Sequence, residues 1–201
     1  MTDGKGILRT QTFYCDHISA ADMVDIANFT VRKPDIALGL EAYIKEQAIE
    51  DERMGAMRTY LVRDIITDEL AGYFSLKSGM VSLNEREIVQ EDGTMSTTFD
   101  TVPGIEVANF AVNNTYLKSH ENVTGLGIMI FRSFIRVIAQ NSAETIGSMV
   151  LYIFALPFDS LIERYRTVYS FLRLDTNEEN DLHKRLKPYY DQSCIFMYQM
   201  L

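Results

Sequence analysis

The sequence feature that most constrains the fold is an uninterrupted apolar run at Met149–Leu156, MVLYIFAL. A strand with one solvent-exposed face alternates apolar and polar residues, whereas a continuous apolar run is typical of a strand buried on both faces. Such strands lie inside sheets that helices cover. The run therefore predicts an internal strand of a layered protein, and Pro157 after it marks the end of that strand.

The sequence on both sides of this run alternates between helical and strand patterns. Apolar residues recur at helical spacing in residues 35–53 and again in Gly127–Gln140. Other segments are predicted as strands at Arg58–Asp64, Leu70–Lys77, Gly104–Val112 and Cys194–Leu201, and as a helix at Ser160–Tyr169 with Asp159 as its N-cap. The order helix, hairpin, strand, helix, strand, helix, strand predicts an α/β or α+β fold with a mixed sheet.

The length of 201 residues fits a single domain over residues 1–201, and the sequence contains no internal repeat or linker. Residues 1–30 are predicted as an N-terminal segment with a strand and a helix. Residues 82–100, SLNEREIVQEDGTMSTTFD, are polar and acidic and have no hydrophobic period. We therefore expect them to form a long acidic loop insertion.

Charge is distributed unevenly along the chain. Residues 1–124 carry 11 Lys and Arg against 20 Asp and Glu, whereas residues 125–201 carry eight of each. The net charge of −9 argues against a broad nucleic-acid surface but leaves a local basic patch open. No N-terminal apolar signal segment is present, and no apolar run reaches the roughly 20 residues that span a bilayer. The sequence predicts a cytoplasmic protein without a membrane contact.

Cysteine and histidine residues give no metal-binding pattern. Cys15 and Cys194 lie far apart, and two free thiols are favoured over a disulfide. His17, His120 and His183 have no partner at ligand spacing and are interpreted as surface residues. No metal site is predicted.

A candidate anion-binding loop joins a predicted strand to a predicted helix. Its residues are Asn122, Val123, Thr124, Gly125, Leu126 and Gly127. Two glycines at a helix N-terminus leave backbone N–H groups uncovered, and the helix dipole adds a favourable potential for a pyrophosphate. The same pattern also occurs in ordinary turns, and it lacks both the GK[ST] of a P-loop and the third glycine of a dinucleotide fingerprint.

In this context the loop resembles the acetyl-CoA loop of the GNAT acetyltransferase superfamily, whose pattern is Gln/Arg-x-x-Gly-x-Gly/Ala. The strand before it, Asn109–Asn113, is similar to the central strand of that family, which ends in Leu-Ala-Val-Asp. Residues 40–76 are similar to the toxin-type branch of the superfamily. The matching residues are Lys45–Ala48, Asp51–Arg53, Arg58–Tyr60 and Gly72–Leu76.

The resemblance implies a GNAT-like central sheet of about six to seven strands flanked by helices. It implies acetyl-CoA as cosubstrate and N-acetyl transfer to a primary amine, which in the toxin-type branch is the amino group of aminoacyl-tRNA. It also implies a small antitoxin and a homodimer as partners.

The resemblance further implies roles for individual residues. Phe110, Ala111 and Val112 at the end of the central strand would bind the thioester end of acetyl-CoA, and the loop Asn122–Gly127 would bind its pyrophosphate. Tyr165 matches the tyrosine that protonates the CoA sulfur, and Tyr169 is the alternative. Glu106 matches a glutamate that deprotonates the amine in some members, although a strand carboxylate can equally face solvent or pair with an arginine.

The chain departs from the family pattern at several of these positions. Asn122 and Thr124 replace the usual Gln/Arg and basic residue of the loop, and Asn109 replaces an arginine of the toxin-type branch. The family's Phe-Tyr-x-x-x-Gly-Phe corresponds to Arg164–Phe171, which is one residue longer and lacks the glycine. These departures keep open a second hypothesis, a catalytically degraded GNAT-fold module that binds a protein partner, with residues 82–100 as its contact surface.

Overall fold

The computed structural model describes residues 6–32, 34–186, 188 and 191–201. Its strands are β1 Leu8–Arg9, β2 Phe13–His17, β3 Arg58–Asp64, β4 Leu70–Val89, β5 Met95–Val112, β6 Val150–Ala155, β7 Leu172–Arg173 and β8 Ile195–Met200. Its α-helices are α1 Met23–Ala27, α2 Pro34–Glu46, α3 Ala48–Met54, α4 Asn114–Ser119, α5 Leu126–Ile130, α6 Arg136–Ile146, α7 Asp159–Thr167 and α8 Thr176–His183. A short 3₁₀ helix lies at Ala20–Asp22, and a π-helical turn at Phe131–Ile135 joins α5 to α6.

The chain divides into two compact units, each built from two segments. The first unit comprises the described residues of 6–77 and 107–138, and the second those of 78–106 and 139–201. Strand order in the first unit is β1-β2-β3-β4-β5, and in the second β4-β5-β6-β8-β7, because β4 and β5 contribute residues to both. The described residues form eight strands, one or two more than expected, and the predicted mixed sheet flanked by helices is confirmed.

The apolar run that constrained the fold forms β6 in the second unit. It pairs in parallel with β5, where Gly104 lies opposite Val150 and Glu106 lies opposite Tyr152. On its other edge it pairs antiparallel with β8. Five of its six residues are buried. The prediction of an internal strand is confirmed, because a strand paired on both edges and covered on both faces has no wet position for a polar residue.

The predicted acidic loop at residues 82–100 is wrong. Most of it belongs to β4 and β5, which form a hairpin that turns at residues 90–94. The Gln90 N–H donates to the Thr94 carbonyl, and Gly93 takes a left-handed φ of 83° in the turn. Along the hairpin, Arg86 pairs with Asp100 at 2.5 Å. The hairpin residues show no alternation of apolar and polar side chains, because neither face of the outer hairpin is buried.

Helix ends differ from the predictions in three places. Residues 35–53 form two helices rather than one, because the chain leaves helical geometry at Gln47, whose φ is −124°. The N-cap of α7 is Phe158, and Asp159 is the first helical residue, so the predicted cap is wrong by one position. The helix predicted at Gly127–Gln140 extends over 126–146 and includes the π-helical turn.

The first unit packs around a close contact at Gly72 on β4. A Cβ built on this glycine would lie 2.8 Å from Cδ1 of Ile130 on α5 and 2.9 Å from the carbonyl oxygen of Ala111 on β5. Real Cβ atoms do not approach backbone oxygens this closely. The missing side chain therefore allows α5 to pack directly on the β4–β5 pair.

Cys15 and Cys194 are buried and free, and burial raises the pKa of the Cys15 thiol to about 12 and that of Cys194 to about 11. None of the described helices is long and apolar enough to cross a membrane.

We predict opposite effects for two Gly→Ala substitutions. Gly72→Ala should lower the free energy of unfolding by about 1–3 kcal/mol, because Ile130 and the Ala111 backbone must shift. Gly39→Ala in α2 meets no atom within 4 Å and should raise it by about 0.5–1 kcal/mol through helix propensity. Chemical denaturation of both variants measures the difference. Equal stabilities would contradict the proposed close packing at Gly72.

Candidate functional site

The anion-binding loop lies at the N-terminus of α5. Gly125 is the N-cap, with φ 68° and ψ 15°, a left-handed conformation that favours glycine. The first helical hydrogen bond runs from the Met129 N–H to the Gly125 carbonyl, at 3.0 Å. The N–H groups of Leu126, Gly127 and Ile128 precede it and have no acceptor within the helix. These groups and the dipole of the helix 126–146 can bind an anion.

The other loop residues leave this helix end open. Asn122 and Thr124 are exposed, whereas Val123 is half-buried and donates its N–H to the His120 carbonyl at 2.9 Å. A Cβ built on Gly125 would meet nothing within 4 Å. The requirement for glycine at this position is therefore conformational, not steric.

Asn113 fixes the point where β5 ends and α4 begins. Its Oδ1 accepts the Thr115 N–H at 3.0 Å as the N-cap of α4, and its Nδ2 donates to the Leu70 carbonyl at 2.7 Å. Its backbone N–H donates to the Ala71 carbonyl at 2.9 Å. The residues expected to bind the thioester end precede it directly: Ala111 is buried, and Phe110 and Val112 are half-buried.

The residues just before the loop are held by a Tyr–His pair in the first unit. Tyr116 donates its hydroxyl to Asp64 at 2.7 Å, and its ring stacks on His120 with a centroid distance of 4.1 Å. His120 Nε2 lies 3.3 Å from Oε2 of Glu69. Burial raises the pKa of Asp64, but the hydrogen bonds from Tyr116 and two backbone N–H groups outweigh it and lower the pKa below its ordinary value. His120 is thus a structural anchor, which corrects its interpretation as a surface residue.

Glu106 is buried in the second unit, with 5% of its surface exposed. It hydrogen-bonds the hydroxyl of Tyr152, which lies opposite it on β6. Burial, followed by the negative charge of Glu106, raises the pKa of Tyr152, so the phenol stays protonated and donates. The Tyr152 hydroxyl occupies the space that a side chain at Gly79 would need, 1.9 Å from a Cβ built there. Glu106 therefore does not face solvent, and Tyr152 is one of its partners.

Tyr165 lies near the end of α7 in an aromatic cluster of the second unit. Its ring centroid lies 5.5 Å from that of Tyr169 and 5.7 Å from that of Phe171. Tyr165 is half-buried and Tyr169 is buried. Burial raises the pKa of Tyr165 above its ordinary value, with Tyr169 adding to the rise. A neutral phenol is the form that can give up a proton to a thiolate.

Ser170 follows the end of α7 and adopts a left-handed backbone conformation. Its φ is 61°, in the left-handed region. The Phe171 N–H reaches back to the Tyr165 carbonyl at 3.0 Å, which closes the end of α7. This turn therefore forms with a serine, not a glycine, in the left-handed position.

Sequence reasoning missed Tyr152. It was counted only as part of an apolar run, and its partner Glu106 lies on another strand, so only the register of β5 against β6 reveals the pair. Across the described ranges no group of three or more His, Cys, Asp or Glu residues is arranged to hold a metal ion.

Of the comparisons with known proteins, only the one with solved structures finds similar proteins. No protein-family model matches the sequence, and no curated protein matches it. Solved structures do match. A Tyr→Phe mutant of the toxin KacT superposes with a TM-score of 0.63 at 16% identity, over 94% of this chain and 95% of that one. The toxin AtaT complexed with acetyl-methionyl-tRNAfMet gives 0.61 at 13% identity, over 94% of both chains.

A third structure is a Tyr→Phe mutant of AtaT bound to the C-terminus of the antitoxin AtaR and to acetyl-CoA. It gives a TM-score of 0.59 at 11% identity, over 94% of this chain and 92% of that one. The chain has the fold of these toxins.

We predict that Tyr152→Phe lowers the free energy of unfolding by about 1–3 kcal/mol, because Glu106 loses a hydrogen-bond donor inside the second unit. Tyr198→Phe on β8 is the matched control, and we expect a smaller change because Tyr198 is only half-buried. Thermal and denaturant unfolding measure both variants. A Tyr152→Phe protein as stable as the parent would show that the buried pair contributes nothing.

We also predict that Ser170→Gly stabilises the protein by about 0.5–1 kcal/mol, since glycine adopts the left-handed φ without strain. The same substitution at Ser160, inside the first turn of α7, should destabilise it by about 0.5–1 kcal/mol. Opposite signs in a denaturation series support the left-handed turn. A loss of stability in both variants argues against it.

Proposed function

We propose that this chain is an acetyl-CoA-dependent N-acetyltransferase that acetylates a primary amine. The observation that carries the proposal is the left-handed Gly125 N-cap, which leaves three consecutive N–H groups at the start of a long helix. This arrangement suits the pyrophosphate of CoA. It occurs in a fold shared with a toxin whose structure contains acetyl-CoA.

The reaction needs a nucleophilic amine, a polarised thioester and an acid for the leaving sulfur. The amine nitrogen attacks the thioester carbonyl carbon, and a backbone N–H near Phe110 or Ala111 stabilises the oxyanion. The C–S bond then breaks, and the resemblance assigns Tyr165 the donation of a proton to the thiolate. The proton lost by the amine passes to water or, by the same resemblance, to Glu106. Glu106 is the weaker part of this assignment, because its carboxylate already binds Tyr152.

Tyr165 is the better of the two tyrosines for the acid. It lies within α7 and is half-buried, whereas Tyr169 is buried and lies beyond the helix end. The Tyr169 carbonyl also accepts a hydrogen bond from Gln199, and Arg164 lies over its ring at 5.8 Å. These contacts give Tyr169 a structural role at the end of α7.

Aminoacyl-tRNA is the acceptor that the comparison favours, since AtaT was solved with acetyl-methionyl-tRNAfMet. A tRNA surface needs available Lys or Arg side chains. Arg166, Arg173 and Lys184 of the C-terminal half form ion pairs with Glu163, Glu179 and Asp181. Arg132 and Arg136 are exposed, lie four residues apart on one helix, and make no ion pair with another described residue. They are the first residues to test, and Lys187 lies outside the described residues.

A small antitoxin and a second copy of this chain are further proposed partners, by the same resemblance. AtaT is bound to the C-terminus of its antitoxin in one of the similar structures.

One observation favours the second candidate, a degraded module that acts by binding a protein. The outer hairpin exposes Ile88, Val89 and Met95, whose exposed fractions are 43%, 68% and 61%. Exposed apolar residues near free strand edges are a common protein-binding feature. A variant in which residues 84–99 are replaced by a short Gly-Ser turn tests it. Full acetyl transfer and unchanged partner binding by that variant would remove this candidate.

We predict that Gly127→Glu weakens CoA binding by about 10²- to 10⁴-fold, because it places a side chain and a negative charge at the proposed pyrophosphate site and disrupts about two charge-assisted hydrogen bonds. Stability without ligand should change by only about 1 kcal/mol. Calorimetry on folded protein measures the CoA binding constants of the parent and of Gly127→Glu. Unchanged CoA affinity would place the cofactor elsewhere.

We further predict that Tyr165→Phe lowers the kcat of acetyl transfer by about 10²- to 10⁴-fold while acetyl-CoA affinity stays the same, because only proton donation is lost. Tyr169→Phe is the control and should retain most of the activity. The parent, but not Tyr165→Phe, should arrest growth on induction if aminoacyl-tRNA is the acceptor. Normal growth with abundant parent protein points to a different amine.

A further inference from the structure

A polar cluster in the first unit contains a carboxylate oxygen that no hydrogen bond satisfies. The cluster consists of Tyr43 on α2, Asp51 on α3, Thr59 on β3 and Ser75 on β4. Oδ2 of Asp51 is buried and has no hydrogen-bond partner among the described residues. Buried polar atoms without partners are uncommon in folded proteins, and each calls for a water, an ion or a ligand.

Around this carboxylate the cluster supplies only neutral hydroxyl groups. Thr59 Oγ1 lies 2.9 Å from Ser75 Oγ, and both side chains are fully buried. The Tyr43 hydroxyl lies 3.3 Å from Thr59 Oγ1. Burial raises the pKa of Tyr43 above its ordinary value. The charge of Asp51 and a hydrogen bond from the Tyr43 hydroxyl to the Asp51 carboxylate add to the rise, so the phenol stays neutral and donates.

The neighbouring basic side chains are already paired with other carboxylates. The pairs are Lys45 with Glu41 at 2.7 Å, Arg53 with Glu50 at 2.6 Å, and Arg58 with Glu52 at 2.7 Å. Asp51 is therefore the acidic residue of α3 that lacks a cation. Sequence analysis placed Asp51 only within a stretch similar to the toxin-type branch and gave it no role of its own.

The cluster lies beside the strand that we propose for thioester binding. The Tyr43 hydroxyl contacts Sδ of Met57 at 3.6 Å, and Nδ2 of Asn109 lies 4.0 Å from the same sulfur. Asn109 directly precedes Phe110 and Ala111 on β5. Tyr43, Met57 and Asn109 are half-buried, as is Asp51, so parts of these residues reach the surface although Oδ2 of Asp51 is itself buried.

We infer that Asp51 binds the ammonium group of the amine acceptor, an inference that rests on the proposed acetyl transfer. A primary ammonium carries one positive charge and three N–H donors. It can donate to Oδ2 of Asp51 and to the oxygens of Tyr43 and Thr59, which satisfies the one carboxylate oxygen that lacks a partner. A metal ion is a poorer fit, because hard cations require several oxygen ligands and the cluster offers one carboxylate. Asp51 is thus a residue that determines acceptor specificity by charge.

Asp51→Asn tests the inference, since it removes the charge and keeps the shape. The probe is methionine amide, which has a free amine, in the presence of CoA so that no transfer occurs, and N-acetylmethionine amide is the neutral comparison. Asp51→Asn should weaken binding of methionine amide by about 10- to 100-fold, the range of a charge-assisted hydrogen bond. The parent should bind N-acetylmethionine amide weakly, and the substitution should not change that affinity.

Glu50→Gln is the matched control, because it removes a carboxylate charge from an exposed position of the same helix. It should leave the affinity for methionine amide within about twofold of the parent. The melting temperature without ligand separates this role from a purely structural one. If Asp51 served only the structure, Asp51→Asn should lower it. Asp51→Asn should leave it unchanged or raise it, because it removes an unpaired buried charge. A lowered melting temperature together with unchanged amine affinity would overturn the inference and identify Asp51 as a structural residue that binds water.

Calorimetry with acetyl-CoA separates this inference from the function on which it rests. Parent and Asp51→Asn should bind acetyl-CoA equally. If the parent binds methionine amide through Asp51 but does not bind acetyl-CoA, the result contradicts the proposed transferase function and supports the amine site. Equal KM values for methionine amide in Asp51→Asn and parent, with acetyl transfer intact, contradict the amine site and leave the transferase standing.

Discussion

The hydrogen bonds of Asn113 determine the geometry of the candidate cofactor region in the first unit. Its side chain donates to the Leu70 carbonyl and accepts the Thr115 N–H, so one amide ends β5, holds it against β4 and starts α4. Helix α4 begins at that point, and His120 and the Gly125 loop follow directly after it. A buried amide with both of its polar atoms satisfied makes such a junction rigid. The resemblance to a family that has an aspartate here is consistent with this function, since either side chain can cap a helix.

Close backbone approach is the second requirement, and glycine meets it in both units. In the first unit Gly72 lets α5 pack on the sheet. In the second unit the Tyr152 ring fills the space above Gly79 and Gly104, which lie on neighbouring strands. Because the two glycines have no side chain, a large aromatic ring fits above them and keeps the interior densely packed without strain. These glycines therefore serve packing, whereas Gly125 serves backbone conformation.

Much of the fold could be predicted from the sequence, because burial leaves a readable pattern. The run at residues 149–156 and the strand Arg58–Asp64 were recognised since buried strands select apolar residues. The hairpin at residues 82–100 was missed because its outer part is exposed and nothing selects a period there. The candidate loop was found from its glycines, but Glu106 with Tyr152, and Asp51 with Tyr43, join residues on different elements. Such pairs depend on register and packing, which a single sequence does not contain.

Glu106 and Asp51 show how the same residue type acquires different roles through its partners. Transfer of a carboxylate out of water is unfavourable unless hydrogen bonds or an opposite charge compensate it. Glu106 is compensated within the second unit by the Tyr152 phenol, so its burial is already stabilised without a ligand. Asp51 has one oxygen that the described structure leaves uncompensated. A water, an ion or a ligand can relieve this cost, and a substrate that carries a positive charge relieves it most directly because its charge opposes that of the carboxylate. On this reasoning the satisfied carboxylate belongs to the framework and the unsatisfied one to the acceptor, whichever residue takes the proton during transfer.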